Sequence, residues 1–216
     1  MKIWNKNIKT TNSAIDEFLS GEDIILDQEI FLYDIEASIA HAEELKAINI
    51  LTNAEFKKMS LALKKLAKLF QANKFKLTKK YEDCHSAIED YLIKELGDLG
   101  KKIHTGRSRN DQVLVAMRLY ARDHLDNIQS LNLKIAKALL SKASQHSSDV
   151  MPGYTHLQRA MPSTWGLWFG AFAESFMDNA ELLANTQSWM NLNPLGTAAG
   201  YGVNLPIQRD ISTKKL

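Results

Sequence analysis

RNDQVLVAMRLYARDHLDNIQSLNLKIAKALLSKASQH, Arg109 to His146, contains neither glycine nor proline, the residues that most often interrupt a helix. Within it Leu114, Met117, Ala121, Leu125, Ile128, Leu131, Ile135 and Leu139 recur about every 3.5 residues, which places them on one helical face. At 1.5 Å per residue such a helix runs for more than about 50 Å. A rod of that length needs other long helices against its apolar stripe, as in a bundle. The stretch therefore predicts an all-α architecture.

The flanking sequence agrees. Downstream, 163–190 carries Trp165, Phe169, Phe172, Phe176, Ala180 and Leu183 on one side, a stripe suited to a core or a subunit interface. Upstream, no glycine or proline lies between Gly21 and Gly97, and all four prolines follow residue 150. Phe56, Met59, Leu63, Leu66 and Phe70 step by 3, 4, 3 and 4 through 52–71, and Thr52 with Glu55 forms a capping-box signal at its start. Lys57, Lys58, Lys64, Lys65 and Lys68 fall off that stripe, as on the solvated side of a packed helix. Further helices are expected from about Asp27 to Ile48 and from about Ser86, a possible cap, to Leu96. Polar or Pro/Gly-rich connectors are expected at 97–108, 149–162 and 191–206.

Composition bounds the function. The chain has 216 residues, enough for a sizeable core, and 27 basic residues face 25 acidic ones. That balance gives no general field for nucleic acid or an anionic membrane. No run of about 18 apolar residues predicts a membrane span, and MKIWNKNIKT lacks the apolar core of a signal peptide. One cysteine, Cys84, leaves no internal disulfide, so the chain reads as cytoplasmic.

Three segments carry chemistry. In HTGRSRND, His104 to Asp111, two arginines, a serine and an asparagine crowd the predicted start of the long helix. Ser108 with Asp111 suits a cap, and Asn110 competes for that place. A helix N-terminus holds anions, and the planar forks of Arg107 and Arg109 suit carboxylates; a capped helix with two surface arginines has the same pattern. PGYTHLQRAMP places Thr155 and His156 in a proline-bracketed loop, where histidine serves either as a proton carrier or as a structural hydrogen-bonder. EDCHSAIED sets His85 and Glu89 four apart on one helix face, with Cys84 suited to a small buried role. The glycine-rich NPLGTAAGYG lacks P-loop spacing. The six histidines form no metal-ligand pair.

Together, KKIHTGRSRNDQV, MPGYTHLQRAMP and NPLGTAAGYG resemble the argininosuccinate lyases of the fumarase/aspartase superfamily, and FLSGEDIILDQEIFLYDIEASIAH and EDCHSAIEDYL are similar to that family too. The resemblance runs over essentially the whole chain. It implies an N-terminal helical domain, 1–106, followed by part of the central helical bundle, 107–216. It also implies β-elimination of argininosuccinate to arginine and fumarate in arginine biosynthesis, without metal or organic cofactor, in a cytoplasmic homotetramer that binds neither nucleic acid nor membrane. By resemblance, Ser108, Arg109 and Asn110 bind the substrate's carboxylates, Thr155 hydrogen-bonds it, His85 lies at the site and His156 is the acid/base histidine. The SGED loop is a softer match to a substrate-contacting segment. The family's GSSxMPxKxNP loop, which carries the proton-abstracting serine, is absent from these residues. The chain is therefore expected to be truncated and inactive alone. The alternative is a non-catalytic structural protein of the same fold.

Overall fold

The computed structural model describes Phe18 and residues 21–216; Ser20 of the SGED match and the N-terminal decapeptide lie outside the described residues. The chain forms two compact units, one reaching Tyr120 and including Leu192–Leu216, the other Ala121–Asn191.

In the first unit the helices are α1 (Asp23–Leu26), α2 (Phe31–Ala47), α3 (Asn53–Gln71), α4 (Cys84–Leu96), α5 (Asp98–Lys101), the first turns of α6 (Arg109–Gln145) and α8 (Arg209–Lys215). Met59, Leu63 and Leu66 of the predicted α3 stripe are wholly buried, with Phe31, Leu45, Ile88, Leu92 and Ile103 against them. Each such side chain contributes about 1.5–3 kcal/mol when removed from water. The Phe31 ring lies 4.4 Å from Phe70 and 5.7 Å from Phe75 between centroids. The five off-stripe lysines of α3 face solvent, and Lys65 pairs with Glu95 at 2.7 Å.

Helix ends follow local chemistry. Thr52 Oγ1 accepts the Glu55 N–H, while Glu55 Oε2 accepts the Thr52 N–H, the predicted capping box. Asn49 and Asn73, with φ of 61° and 56°, close α2 and α3 in the left-handed region that asparagine tolerates. Two expected starts move. Helix α2 begins at Phe31 because Asp23–Leu26 forms a separate short helix before it. Helix α4 begins at Cys84, because Asp83 rather than Ser86 is the cap: Asp83 Oδ1 accepts the Ser86 N–H and Ser86 Oγ accepts the Asp83 N–H. The expected connector 97–108 also contains α5 and a 3-10 turn, Lys102–His104.

The second unit holds the rest of α6, two strands and α7 (Trp165–Met190). The long helix ends at Gln145, one residue before the expected His146. Gln129 Nε2 reaches the Ala180 carbonyl and Gln187 Nε2 reaches Asp126, so α7 returns antiparallel to α6. The segment 149–162, expected as a loop, is instead mostly an antiparallel hairpin of β1 (Val150–Thr155) and β2 (Gln158–Thr164). Pro152 sits opposite Pro162, and the register slips between Pro152 and Tyr154. A two-stranded ribbon has only edge strands, where a missing N–H is tolerated; the prolines that suggested a loop are compatible with this one. Among the described residues the regular structure is thus helical apart from one small ribbon.

The aromatic stripe of α7 is only half covered. Trp165, Trp168 and Phe172 stay 43%, 44% and 44% exposed, with centroids of Trp168 and Phe172 4.8 Å apart. On α6, Ile128, Leu131 and Ile135 are similarly exposed.

Candidate active site

Helix α6 opens at the motif that sequence singled out. Ser108 caps it, its Oγ 3.3 Å from the Asn110 N–H, while the Asp111 carboxylate accepts the Ser108 N–H at 2.9 Å. Asn110 is accordingly inside the first turn and does not cap. Its amide donates to the Ala199 carbonyl at 3.2 Å. The other oxygen of Asp111 accepts the Gly196 and Ala198 N–H groups at 3.3 and 2.9 Å. Asp111, 1% exposed, therefore clips the glycine-rich segment to the head of α6.

A second layer lies behind the loop. Asp34, Ser38, His41 and Glu44 are spaced 4, 3 and 3 apart along α2, and all four are 0% exposed. Asp34 accepts from His85 Nδ1 at 2.6 Å and from Gln112 Nε2 at 3.0 and 3.1 Å. Ser38 Oγ accepts from Arg107 Nη1 at 2.9 Å. His41 Nε2 donates to the Thr105 carbonyl at 2.9 Å, and Glu44 accepts from the Ser212 hydroxyl of α8. Burial pushes the Asp34 carboxyl up, but His85, Arg107 and Gln112 outweigh it and hold it below the usual carboxylate range. Burial likewise lowers His85, and the Asp34 charge more than reverses that, so the imidazole binds its proton more tightly than usual.

The two arginines occupy different environments. Arg107 is 6% exposed, points inward at Ser38 and does not present its fork at the surface. Its Nε and Nη2 are buried without a hydrogen-bond partner in the structure. Arg109 Nη1 donates to Glu89 at 2.8 Å and to Gln112 Oε1 at 2.9 Å. Its Nε lies 3.3 Å from Asp83 Oδ2, close enough for ionic attraction though not aligned as a hydrogen bond. Burial raises Glu89, but His104 and Arg109 prevail and bring its pKa down to about 2. His85, at 1% exposure, is packed behind the loop rather than presented at the surface.

Among the described residues, only Asp27, Cys84 and His85 bring possible metal-ligand atoms within 4.8 Å of one another. Each is otherwise engaged. Asp27 Oδ2 accepts the Cys84 N–H at 2.8 Å, and His85 Nδ1 is held by Asp34. Burial first, and then the charges of Asp34 and Asp27, push the Cys84 thiol well above the usual range, which disfavours the thiolate a metal requires.

Thr155 and His156 belong to the second unit, at the tip of its hairpin. Thr155 pairs with Gln158, so His156 and Leu157 form a two-residue turn, with φ of 52° and 63°. Both positive angles are those of a type I′ turn, which normally selects asparagine and glycine. Leu157 is 95% exposed and gains no packing in return. Replacing Leu157 with glycine is expected to stabilise the hairpin by about 1 kcal/mol, since a left-handed residue bearing Cβ costs about that much. Amide exchange across Val150–Thr164 measures the gain, and unchanged or faster exchange would contradict the strain.

Residues 7–216 match the family described as Lyase. The chain belongs to the lyase family. Among its relatives, the argininosuccinate lyase of Xanthomonas oryzae pv. oryzae (strain PXO99A) is 49% identical over 214 residues, which is 99% of this chain and 50% of that one. That of Xylella fastidiosa (strain Temecula1 / ATCC 700964) is also 49% identical, over 99% of this chain and 48% of its own. The chain thus spans about half the length of the curated relatives it matches. The crystal structure of EDDS lyase in complex with formate superposes with a TM-score of 0.78 at 27% identity, covering 95% of this chain and 41% of that one. The native fumarate lyase:delta crystallin of Brucella melitensis shares the fold, with a TM-score of 0.70 at 19% identity over 88% and 47% of the two chains. Within this chain, the α2 polar stripe and Gln112 are the groups that the motifs alone did not single out. The signal of the stripe was present in the 4, 3, 3 spacing of Asp34, Ser38, His41 and Glu44 in DIEASIAHAEE, which puts those four on one face.

Proposed function

We propose that this chain is the N-terminal part of an argininosuccinate lyase that splits argininosuccinate into arginine and fumarate in arginine biosynthesis. In this reading 1–106 is the N-terminal helical domain and 107–216 is part of the central bundle. The observation that carries it is the identity of about one half over nearly the whole chain with argininosuccinate lyases, together with the capped α6 head and its clipped glycine-rich segment.

The reaction removes a proton from the carbon beside a carboxylate of the succinyl part. The electron pair forms the new double bond as the C–N bond breaks, and an acid protonates the departing guanidino nitrogen. The negative charge that grows on the carboxylate requires fixed donors. Ser108 and Asn110, at the positive end of α6, supply them, and Arg109, steadied by Glu89, adds positive potential. Thr155 and the His156 imidazole serve as hydrogen-bond partner and proton carrier. His85, being buried, supports the loop through Asp34 and Gln112.

The half-exposed apolar side chains on α6 and α7 favour assembly with further copies, and we assign the whole protein a homotetramer in the cytoplasm. No helix among the described residues is long and apolar enough to cross a membrane. The test is release of fumarate from argininosuccinate, followed by ultraviolet absorbance. A complete-length protein carrying this chain is expected to turn over, and the 216 residues alone are not. Turnover by the 216 residues would overturn the division of the site; none by the longer protein would overturn the lyase reading.

A further inference from the structure

We propose that His41 is a positioning residue for the loop before α6, fixing the Thr105 carbonyl and with it the entry of the chain into Ser108–Asn110. The proposal rests, for its meaning in catalysis, on the reading of that loop as a carboxylate-binding site.

Helix α2 meets the loop rung by rung. His41 reaches Thr105, Ser38 reaches Arg107, and Asp34 reaches Gln112. The order along α2 is the reverse of the order along the chain from Thr105 to Gln112, so one rigid helix sets two points of the irregular loop and a third in the first turn of α6. Between the first two rungs lies Gly106, with φ of 73°, where the backbone turns in a way that side-chain-bearing residues resist. A turn of this kind is held by its neighbours or not at all. The His41 contact is the only one of the three rungs that grips the loop's backbone.

The chemistry of His41 defines what it does there. Its Nε2 faces a carbonyl oxygen, which only accepts, so Nε2 must carry a proton. Its Nδ1 faces Glu44 Oε2 at 3.3 Å, and a proton between those two atoms satisfies both. Whichever of the two holds that proton, the donor to Thr105 is preserved. Glu44 in turn is gripped by Ser212, whose hydroxyl is also 2.7 Å from Asn193 Nδ2. The ring is thus oriented from the side opposite the loop, with no freedom to turn its Nε2 away. His41 is 0% exposed, so water does not replace it readily.

The test uses the 216-residue chain. Imidazole nitrogen shifts of the labelled protein are expected to show His41 protonated at Nε2. Amide exchange is then compared in wild type, His41→Leu and His41→Gln. Leucine keeps the bulk without a donor; glutamine keeps a donor that reaches the carbonyl. Exchange at Thr105, Arg107 and Ser108 is expected to quicken about tenfold in His41→Leu, the scale of one buried hydrogen bond, and to recover in His41→Gln. Helix α3 amides serve as the reference and are expected to change less. Loop exchange within about twofold of wild type in His41→Leu, or equal acceleration across α3 without rescue by glutamine, overturns the proposal, as does an Nε2 found without its proton. Titrating fumarate into the same three proteins separates the two readings. Weaker binding in His41→Leu with recovery in His41→Gln supports positioning of the site. Absence of fumarate binding in all three counts against the carboxylate site, while the exchange data still decide the role of His41.

Discussion

Asp34→Ala destabilises the first unit by about 3–5 kcal/mol, the scale for removing one partner of a buried ionic network. The side chain is 0% exposed and accepts hydrogen bonds from His85 and Gln112. Its removal leaves a buried imidazolium and a buried amide without their acceptor, and Arg107 without its nearby counter-charge. Asp34→Asn, which keeps an acceptor but no charge, is expected to cost less. Native-state amide exchange of α2 and α3 measures the loss within this unit. A cost below about 1 kcal/mol would show that the network contributes little net stability. The same network predicts a pH window. The lowered Asp34 pKa contributes stability that is present above the unfolded value of about 3.9 and fades as pH falls through the folded one. The raised His85 pKa contributes stability that is full below about 6.5 and fades as pH rises through the folded value. Both contributions are therefore complete between those two limits, and Asp34→Ala should flatten the profile on both sides.

The second large effect is on turnover. His156→Asn in the complete-length protein is expected to lower kcat by about 10²–10⁴-fold, the usual contribution of a positioned acid or base. Asparagine tolerates the left-handed φ of 52° at this turn, so the hairpin should persist while proton transfer is lost. Steady-state fumarate release reads kcat and KM separately, with the loss falling on kcat. A kcat within about threefold of wild type would remove His156 from the proton-transfer role.

Much of the helical frame was legible because it rests on local rules. The α3 stripe and its Thr52 box declare themselves through spacing and a pair of side chains three apart. The extent of α6 follows from an uninterrupted run of helix formers. The hairpin was hidden because Pro152 and Pro162 are strong breakers in general, and their mutual pairing on an isolated ribbon is a property of the partner strand. The inner layer of the candidate site was hidden for another reason. Polar residues on a helix read as solvent-facing, and Asp34, Ser38, His41 and Glu44 become interior only because Arg107, Gln112, His85 and Ser212 arrive from elsewhere in the chain to satisfy them. The loop motif announced the place, while the contacts of Arg107 with Ser38 and of Arg109 with Glu89 depend on residues that the motif does not show to be near.

The clip between Asp111 and the glycine-rich segment also constrains how the protein is made. It joins residues 85 and 87 positions apart, and the contact of Glu44 with Ser212 spans 168. Closing a loop of the first size costs roughly 4 kcal/mol of chain entropy. At about 5–20 residues per second of synthesis, Glu44 waits on the order of ten to thirty seconds for its hydroxyl partner to be polymerised. During that interval the nascent first unit has its apolar core available, but Glu44 lacks its hydroxyl donor and Asp111 lacks the two backbone N–H groups of the glycine-rich segment. Its folding is then paced by the ribosome, with the late residues 192–216 acting as the closing stitch of a unit begun near the start of the chain.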